Sequence, residues 1–144
     1  MQIKKLSQQE IPEALRLVWG VFTEFEAPEY SSEGIKNFKS FIDNRDLINK
    51  LAIYAAFDAE KIIGVAATRR EGNHISLFFV DRQYHRRGIG RRLFETVLMN
   101  STSDLITVHS SPFAAEAYRR LGFSDTDKEQ VENGIIYIPM EYKK

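Results

Sequence analysis

Four arginines, Arg86, Arg87, Arg91 and Arg92, crowd around Gly88-Ile89-Gly90 in the stretch Tyr84 to Phe94. The whole chain has 20 basic and 20 acidic residues and a formal net charge of zero, so this is a local concentration of positive charge. A strand-like run ends near Asp81 and a helix-like pattern begins at the glycines. The first turn of a helix offers backbone N–H groups without internal partners and the positive end of the macrodipole. Glycines at 88 and 90 keep side chains off those amides, and flanking guanidinium groups match phosphate oxygens. The chemistry available here is the holding of a phosphate or pyrophosphate. It is not a P-loop, which needs Gly-Lys-Ser/Thr, and it lacks the third glycine of the dinucleotide-binding turn.

A second stretch, Phe22 to Tyr30, interleaves Glu24, Glu26 and Glu29 with Phe22, Phe25 and Tyr30. Carboxylates among rings suit a cationic amine carried on a partly apolar body. Metal chemistry is not expected: His74, His85 and His109 have no ligand spacing, and the chain has no cysteine. That absence also excludes disulfides and a thiolate nucleophile.

The elements that must position these residues follow from periodicity. At 144 residues, with 43% hydrophobic and 28% charged residues, the chain reads as one ordinary globular domain, 1–144. Met1 to Leu6 reads as a first strand. Ser7-Gln8-Gln9-Glu10 reads as a capping box opening a helix with Ile11, Ala14, Leu15, Val18 and Phe22 on one face. Ser31 or Ser32 caps a second helix carrying Ile35, Phe38, Phe41 and Ile42. Leu51–Asp58, Lys61–Arg69 and His74–Asp81 are apolar runs of strand length. The run Leu77 to Val80 is apolar without alternation, as in a strand covered on both faces. A helix with Leu93, Phe94, Val97 and Leu98 inward follows the glycines, and then the strand Leu105–Ser110. Ser111-Pro112 opens a last helix ending at Gly122, with serine as N-cap and proline at the first position. The tail reads as two strands joined by a turn at Glu132-Asn133-Gly134. The order β-α-α-β-β-β-α-β-α-β-β gives an α/β chain, a mixed sheet with helices on its faces.

The glycine loop and the last helix together resemble the GNAT superfamily of acyl-CoA-dependent N-acetyltransferases, across essentially the full chain. His85-Arg86-Arg87-Gly88-Ile89-Gly90 matches the family's Gln/Arg-x-x-Gly-x-Gly/Ala, with His85 in the Gln/Arg place. Ser111, Ala114, Tyr118, Gly122 and Phe123 match its Asn-x-x-Ala-x-x-x-Tyr-x-x-x-Gly-Phe, with Ser111 in the Asn place. The resemblance implies a mixed, mostly antiparallel sheet of six to seven strands, about four helices, and a splayed strand pair holding coenzyme A. The anion is then the pyrophosphate of acetyl-CoA, and the implied contacts are Phe79, Val80, His85, Arg86, Arg87, Gly88, Ile89, Gly90, Arg91, Ser111 and Tyr118.

The implied reaction is direct attack of a primary amine on the thioester. A strand N–H at Phe79 or Val80 would face the oxyanion, and Tyr118 would give the leaving thiolate its proton. The strand before the loop, His74 to Val80, has no glutamate, so the base is open among Glu24, Glu26, Glu29 and His109, with Glu26 the working choice. Glu24, Glu26 and Tyr30 are the candidate acceptor contacts. A catalytically silent acyl-CoA sensor is the alternative; a nucleic-acid role is disfavoured by the zero net charge. The expected partner is a small or peptide amine, with no nucleic acid or membrane, and a homodimer is possible. The N-terminus lacks the apolar core of a signal peptide and no segment approaches the roughly 20 apolar residues of a membrane span, so a cytoplasmic location is expected.

Overall fold

The computed structural model describes all residues, Met1 to Lys144. In chain order the elements are β1 (Gln2–Lys5), α1 (Ile11–Phe25), α2 (Ser32–Asp43), α3 (Arg45–Ile48), β2 (Ala52–Asp58), β3 (Lys61–Arg69) and β4 (His74–Val80). After these come α4 (Ile89–Asn100), β5 (Leu105–Ser110), α5 (Ala115–Leu121), β6 (Ser124–Asp125), β7 (Gln130–Glu132) and β8 (Ile135–Lys143). One eight-stranded sheet runs β1-β2-β3-β4-β5-β8-β6, with β7 paired to β8 off that path. Every neighbouring pair is antiparallel except β4 and β5. The sheet thus exceeds the expected six to seven strands, because the tail contributes the two-residue β6 beside β8 as well as the hairpin.

Two cores sandwich the sheet. Val18 and Phe22 of α1 and Ile42 of α2 pack with Leu77 and Phe79 on one face. Leu93, Phe94 and Val97 of α4 and Tyr118 of α5 pack with Ala66 and Ile75 on the other, where Phe78 and Val80 join them. Successive strand residues point to opposite faces, so Leu77 to Val80 must be apolar throughout, as the unalternating sequence implied. Fully buried side chains such as Phe22 and Leu93 each contribute roughly 1.5–3 kcal/mol of transfer free energy.

Local chemistry sets the element ends. Ser7 N–H donates to Glu10 Oε1 at 3.1 Å, and this box opens a 3₁₀ turn, Gln8–Glu10, that feeds α1. Ser31 is the cap of α2, its hydroxyl accepting from Gly34 N–H at 3.1 Å. Ser111 caps a turn rather than α5 itself: its hydroxyl accepts from Ala114 N–H at 3.1 Å. Its carbonyl accepts the same N–H at 3.2 Å, a tight i→i+3 closure that delays α5 until Ala115. Asn133 and Gly134 both have positive φ, 53° and 77°, as the two-residue turn between β7 and β8 requires. Asn37 Nδ2 donates to Asn133 O at 2.7 Å, fastening that hairpin onto α2.

The site depends on how β4 leaves its neighbour. Only His74↔Thr107 and Ile75↔Val108 are in register between β4 and β5. Against β3 the register slips between Thr68↔Ile75 and Ala67↔Leu77, leaving Ser76 as an extra residue. A bulge of this kind bends its strand and increases twist. Beyond it β4 and β5 separate, and a cleft opens.

Candidate active site

The cleft contains two chambers. The larger, about 450 Å³, lies between β4, the start of α4 and α5; its lining includes Phe78, Val80, Gly88, Gly90, Phe113 and Tyr118. The smaller, about 180 Å³, lies between α2, β4 and β5 and includes Tyr30, Asn37, Phe41, Ser76, His109 and Ser111. Glu26, Phe78, Phe79, Ala114 and Tyr118 line both. Those five residues are where the contents of the two chambers would touch.

Backbone groups dominate the larger chamber. Gly88, at φ +79°, is the left-handed cap of α4. A Cβ there would meet nothing within 4 Å, so it is the backbone angle that calls for glycine. The first intrahelical bond is Arg92 N–H to Gly88 O, at 3.1 Å. The N–H groups of Ile89, Gly90 and Arg91 therefore have no helical partner. Farther along, Asp81 N–H donates to Ile63 O at 2.8 Å, which makes Gly64↔Val80 a non-hydrogen-bonded pair of the β3–β4 ladder. The N–H and C=O of Val80 consequently face the cleft, and those of Phe79 face β3. His85 Nε2 lies 2.8 Å from Val80 O; a carbonyl only accepts, so Nε2 carries the proton. The His85 ring lies against Phe25 at 5.3 Å, and Phe25 stacks on Phe113 at 4.9 Å, closing one wall.

Side chains with perturbed ionisation sit at the junction. Glu26 ends α1 and is 9% exposed. Burial, with the nearby Glu29 charge, raises its pKa to about 7 against a smaller lowering effect of the Ser111 hydroxyl. Tyr118 is buried, and burial followed by the Glu26 charge pushes its phenol well above the ordinary value. Burial, then Glu26 and Glu29, raise Tyr30 as well. These couplings place one carboxylate within electrostatic reach of two phenols.

The other sequence candidates separate. Arg86, at φ +64°, and Arg91 line the larger chamber; Arg91 also donates to Arg120 O at 3.1 Å. Arg87 lies over the Tyr84 ring, 5.3 Å from its centroid, outside the lining. Ser111 lines the smaller chamber instead of the larger. Glu24 is on the outside, paired with Arg82 at 2.8 Å, and lines neither chamber. Glu29 accepts from Phe113 N–H at 3.0 Å. His109 is at the rim of the smaller chamber with its pKa lowered by desolvation and then by Arg69. Phe79 is among the lining residues of both chambers, while its backbone N–H and C=O are taken by β3. Sequence reasoning missed Asn37 and Ser76 as lining residues. A lone hydroxyl in the apolar run His74 to Val80 was the available signal for Ser76, and its buried Oγ has no hydrogen-bond partner.

No curated protein sequence matches the chain. Among solved structures, a GCN5-related N-acetyltransferase from Rhodopseudomonas palustris is similar, with a TM-score of 0.85, 17% identity, and coverage of 99% of this chain and 95% of that one. The PaiA N-acetyltransferase of Thermoplasma acidophilum, solved with coenzyme A, has a TM-score of 0.79, 18% identity, and coverage of 99% and 98%. A GNAT family acetyltransferase of Elizabethkingia anophelis, solved with acetyl-CoA, has a TM-score of 0.67, 18% identity, and coverage of 99% and 97%. These likenesses establish the fold. The family model for the acetyltransferase (GNAT) domain matches residues 26–144, from the buried glutamate to the C-terminus, and the chain belongs to that family.

Proposed function

We propose that the protein transfers an acetyl group from acetyl-CoA to a primary amine by direct attack, with both substrates bound together. The observation that carries this reading is the meeting of two chambers at a carboxyl of pKa about 7 and a buried phenol. The residues present fit the cofactor. Three free N–H groups at the start of α4, with Arg86 and Arg91 alongside, suit a pyrophosphate. The cleft-facing C=O of Val80 suits an amide N–H of the coenzyme A arm, which would add to β4 much as a strand does. When bound, the thioester supplies the activated acyl group.

The protein's own groups then divide the work. Glu26 accepts a proton from the acceptor ammonium, and near pH 7 a pKa of about 7 leaves a large share of it ionised and ready to do so. The amine nitrogen bonds to the acyl carbon, and the Val80 N–H faces the negative charge that builds on the acyl oxygen. A donor so placed contributes roughly 3–4 kcal/mol in well-studied acyl-transfer sites. Tyr118 gives its proton to the departing sulfur as the C–S bond breaks, the second proton of the newly acylated nitrogen restores the phenol, and Glu26 releases the first to solvent. Part of what raises its pKa is the Glu26 charge. Once Glu26 has taken the amine proton that contribution vanishes, so base and acid act in sequence.

The test is thermal unfolding with saturating acetyl-CoA beside the same concentration of ATP, followed by thiol release with primary amines. A ligand at 100 times its Kd stabilises by about 2.7 kcal/mol, on the order of 10 °C for a domain of this size. Protection by acetyl-CoA with amine-dependent thiol release is expected. Protection without release for any amine would leave the silent sensor, and equal protection by ATP would leave a general phosphate site.

A further inference from the structure

The smaller chamber has a limited size and only one carboxylate. Its volume of about 180 Å³ falls below the roughly 300–1,000 Å³ of sites that enclose drug-sized ligands. At about 30 Å³ per water it has room for about six waters, or an organic body of about six to ten non-hydrogen atoms. Glu26 is the only acidic lining residue, and no lysine or arginine lines it. The neighbouring carboxylates are engaged elsewhere, Glu24 by Arg82 and Glu29 by Phe113 N–H. The walls are mostly rings and aliphatic groups, among them Tyr30, Phe38, Phe41, Phe79 and Ile135.

We infer that this chamber selects a compact primary monoamine, one ammonium on an uncharged and mainly apolar body, over polyamines, aminoglycosides and amino acids. The inference rests on the acetyl-transfer reading above, since it takes Glu26 as the group that meets the amine. A second ammonium inside the chamber would have no further lining carboxylate to pair with, and an α-carboxylate beside Glu26 would meet like charge with no lining cation to offset it. An aminoglycoside exceeds the space.

The experiment measures kcat/KM by thiol release for the intact protein with phenethylamine, hexylamine, putrescine, spermidine, phenylalanine and kanamycin, with acetyl-CoA protection measured on the same sample. Phenethylamine and hexylamine are expected to exceed the other four by at least about 100-fold, the scale set by burying an unmatched charge. Phe41→Ala should lower kcat/KM for phenethylamine by about 10-fold or more while acetyl-CoA protection persists. If putrescine, spermidine, phenylalanine or kanamycin equals or exceeds the monoamines, the inference is overturned while acetyl transfer stands. Protection by acetyl-CoA with no turnover of either monoamine also overturns it. Absence of both protection and turnover brings down the acetyl-transfer reading, and this inference with it.

Discussion

The two chambers that share Glu26 and Tyr118 are built from different materials. The larger presents main-chain groups: three N–H groups opening α4 and the turned-out N–H and C=O of Val80. The smaller presents side chains drawn from α2, β4 and β5, among them Asn37, Phe41, Ser76 and His109. A main-chain site constrains sequence only where backbone geometry demands it, as at Gly88 with its positive φ. It therefore leaves a short motif and tolerates exchanges such as His85 for Gln/Arg. A side-chain site can differ at every wall residue without disturbing the fold. One half of the cleft thus fixes few residue types, and the other depends on every side chain that lines it.

Substitutions can break that contrast, and the largest effects are expected at the junction. Glu26→Gln should cut kcat/KM by on the order of 10²–10⁴, the range for removing a general base, and leave acetyl-CoA affinity nearly unchanged. Stability should move the other way. The Glu26 pKa rises from 4.5 to about 7 on folding, so above pH 4.5 the unfolded chain releases a proton that the folded one retains. Stability is lost as pH rises from about 4.5 to about 7, by on the order of 3 kcal/mol in all. Glu26→Gln should accordingly be more stable than wild type at pH 8 and similar to it at pH 4, which denaturant titration at both values would show.

Tyr118→Phe comes next, with kcat lowered by about 10²-fold and acetyl-CoA protection retained; full activity would remove the acid role. In the main-chain half, Gly88→Val should weaken acetyl-CoA binding strongly, because a branched residue resists positive φ. Gly90→Val tests the loop differently. A Cβ at 90 makes only an ordinary 3.5 Å contact with Phe78, so normal folding with lost acetyl-CoA affinity is expected. Smallest are the arginines. Arg86→Ala should weaken coenzyme A modestly and Arg87→Ala hardly at all, since Arg87 lies outside the lining. A larger loss for coenzyme A than for dephospho-coenzyme A would place either one at the 3′-phosphate.

The same contrast explains what was legible in the sequence. Helix faces such as Ala14, Val18 and Phe22, the doubly covered run Leu77 to Val80, and the turn at Asn133-Gly134 were readable because each follows from local periodicity or turn chemistry. Gly88 was readable for the same reason. The bulge at Ser76 was not, because nothing local in His74 to Val80 says which residue slips against β3. Phe79 and Val80 were both expected to face the cofactor, yet strand alternation allows only one, and the slip decides which. Glu24, Glu26 and Glu29 look alike in sequence. They separate only when Glu26 is buried at the end of α1 while Arg82 and Phe113, 58 and 84 residues away, engage the other two.

In the proposed reaction Glu26 is the group that takes the amine proton where the two chambers meet. The direct measurement is kcat/KM against pH for wild type and Glu26→Gln with one amine, below that amine's own ionisation. The wild type should show a limb rising through about pH 7, the value burial gives Glu26, and the variant should lose that limb along with most of the rate. A Glu26→Gln profile with the same limb and comparable rates would contradict this role of Glu26.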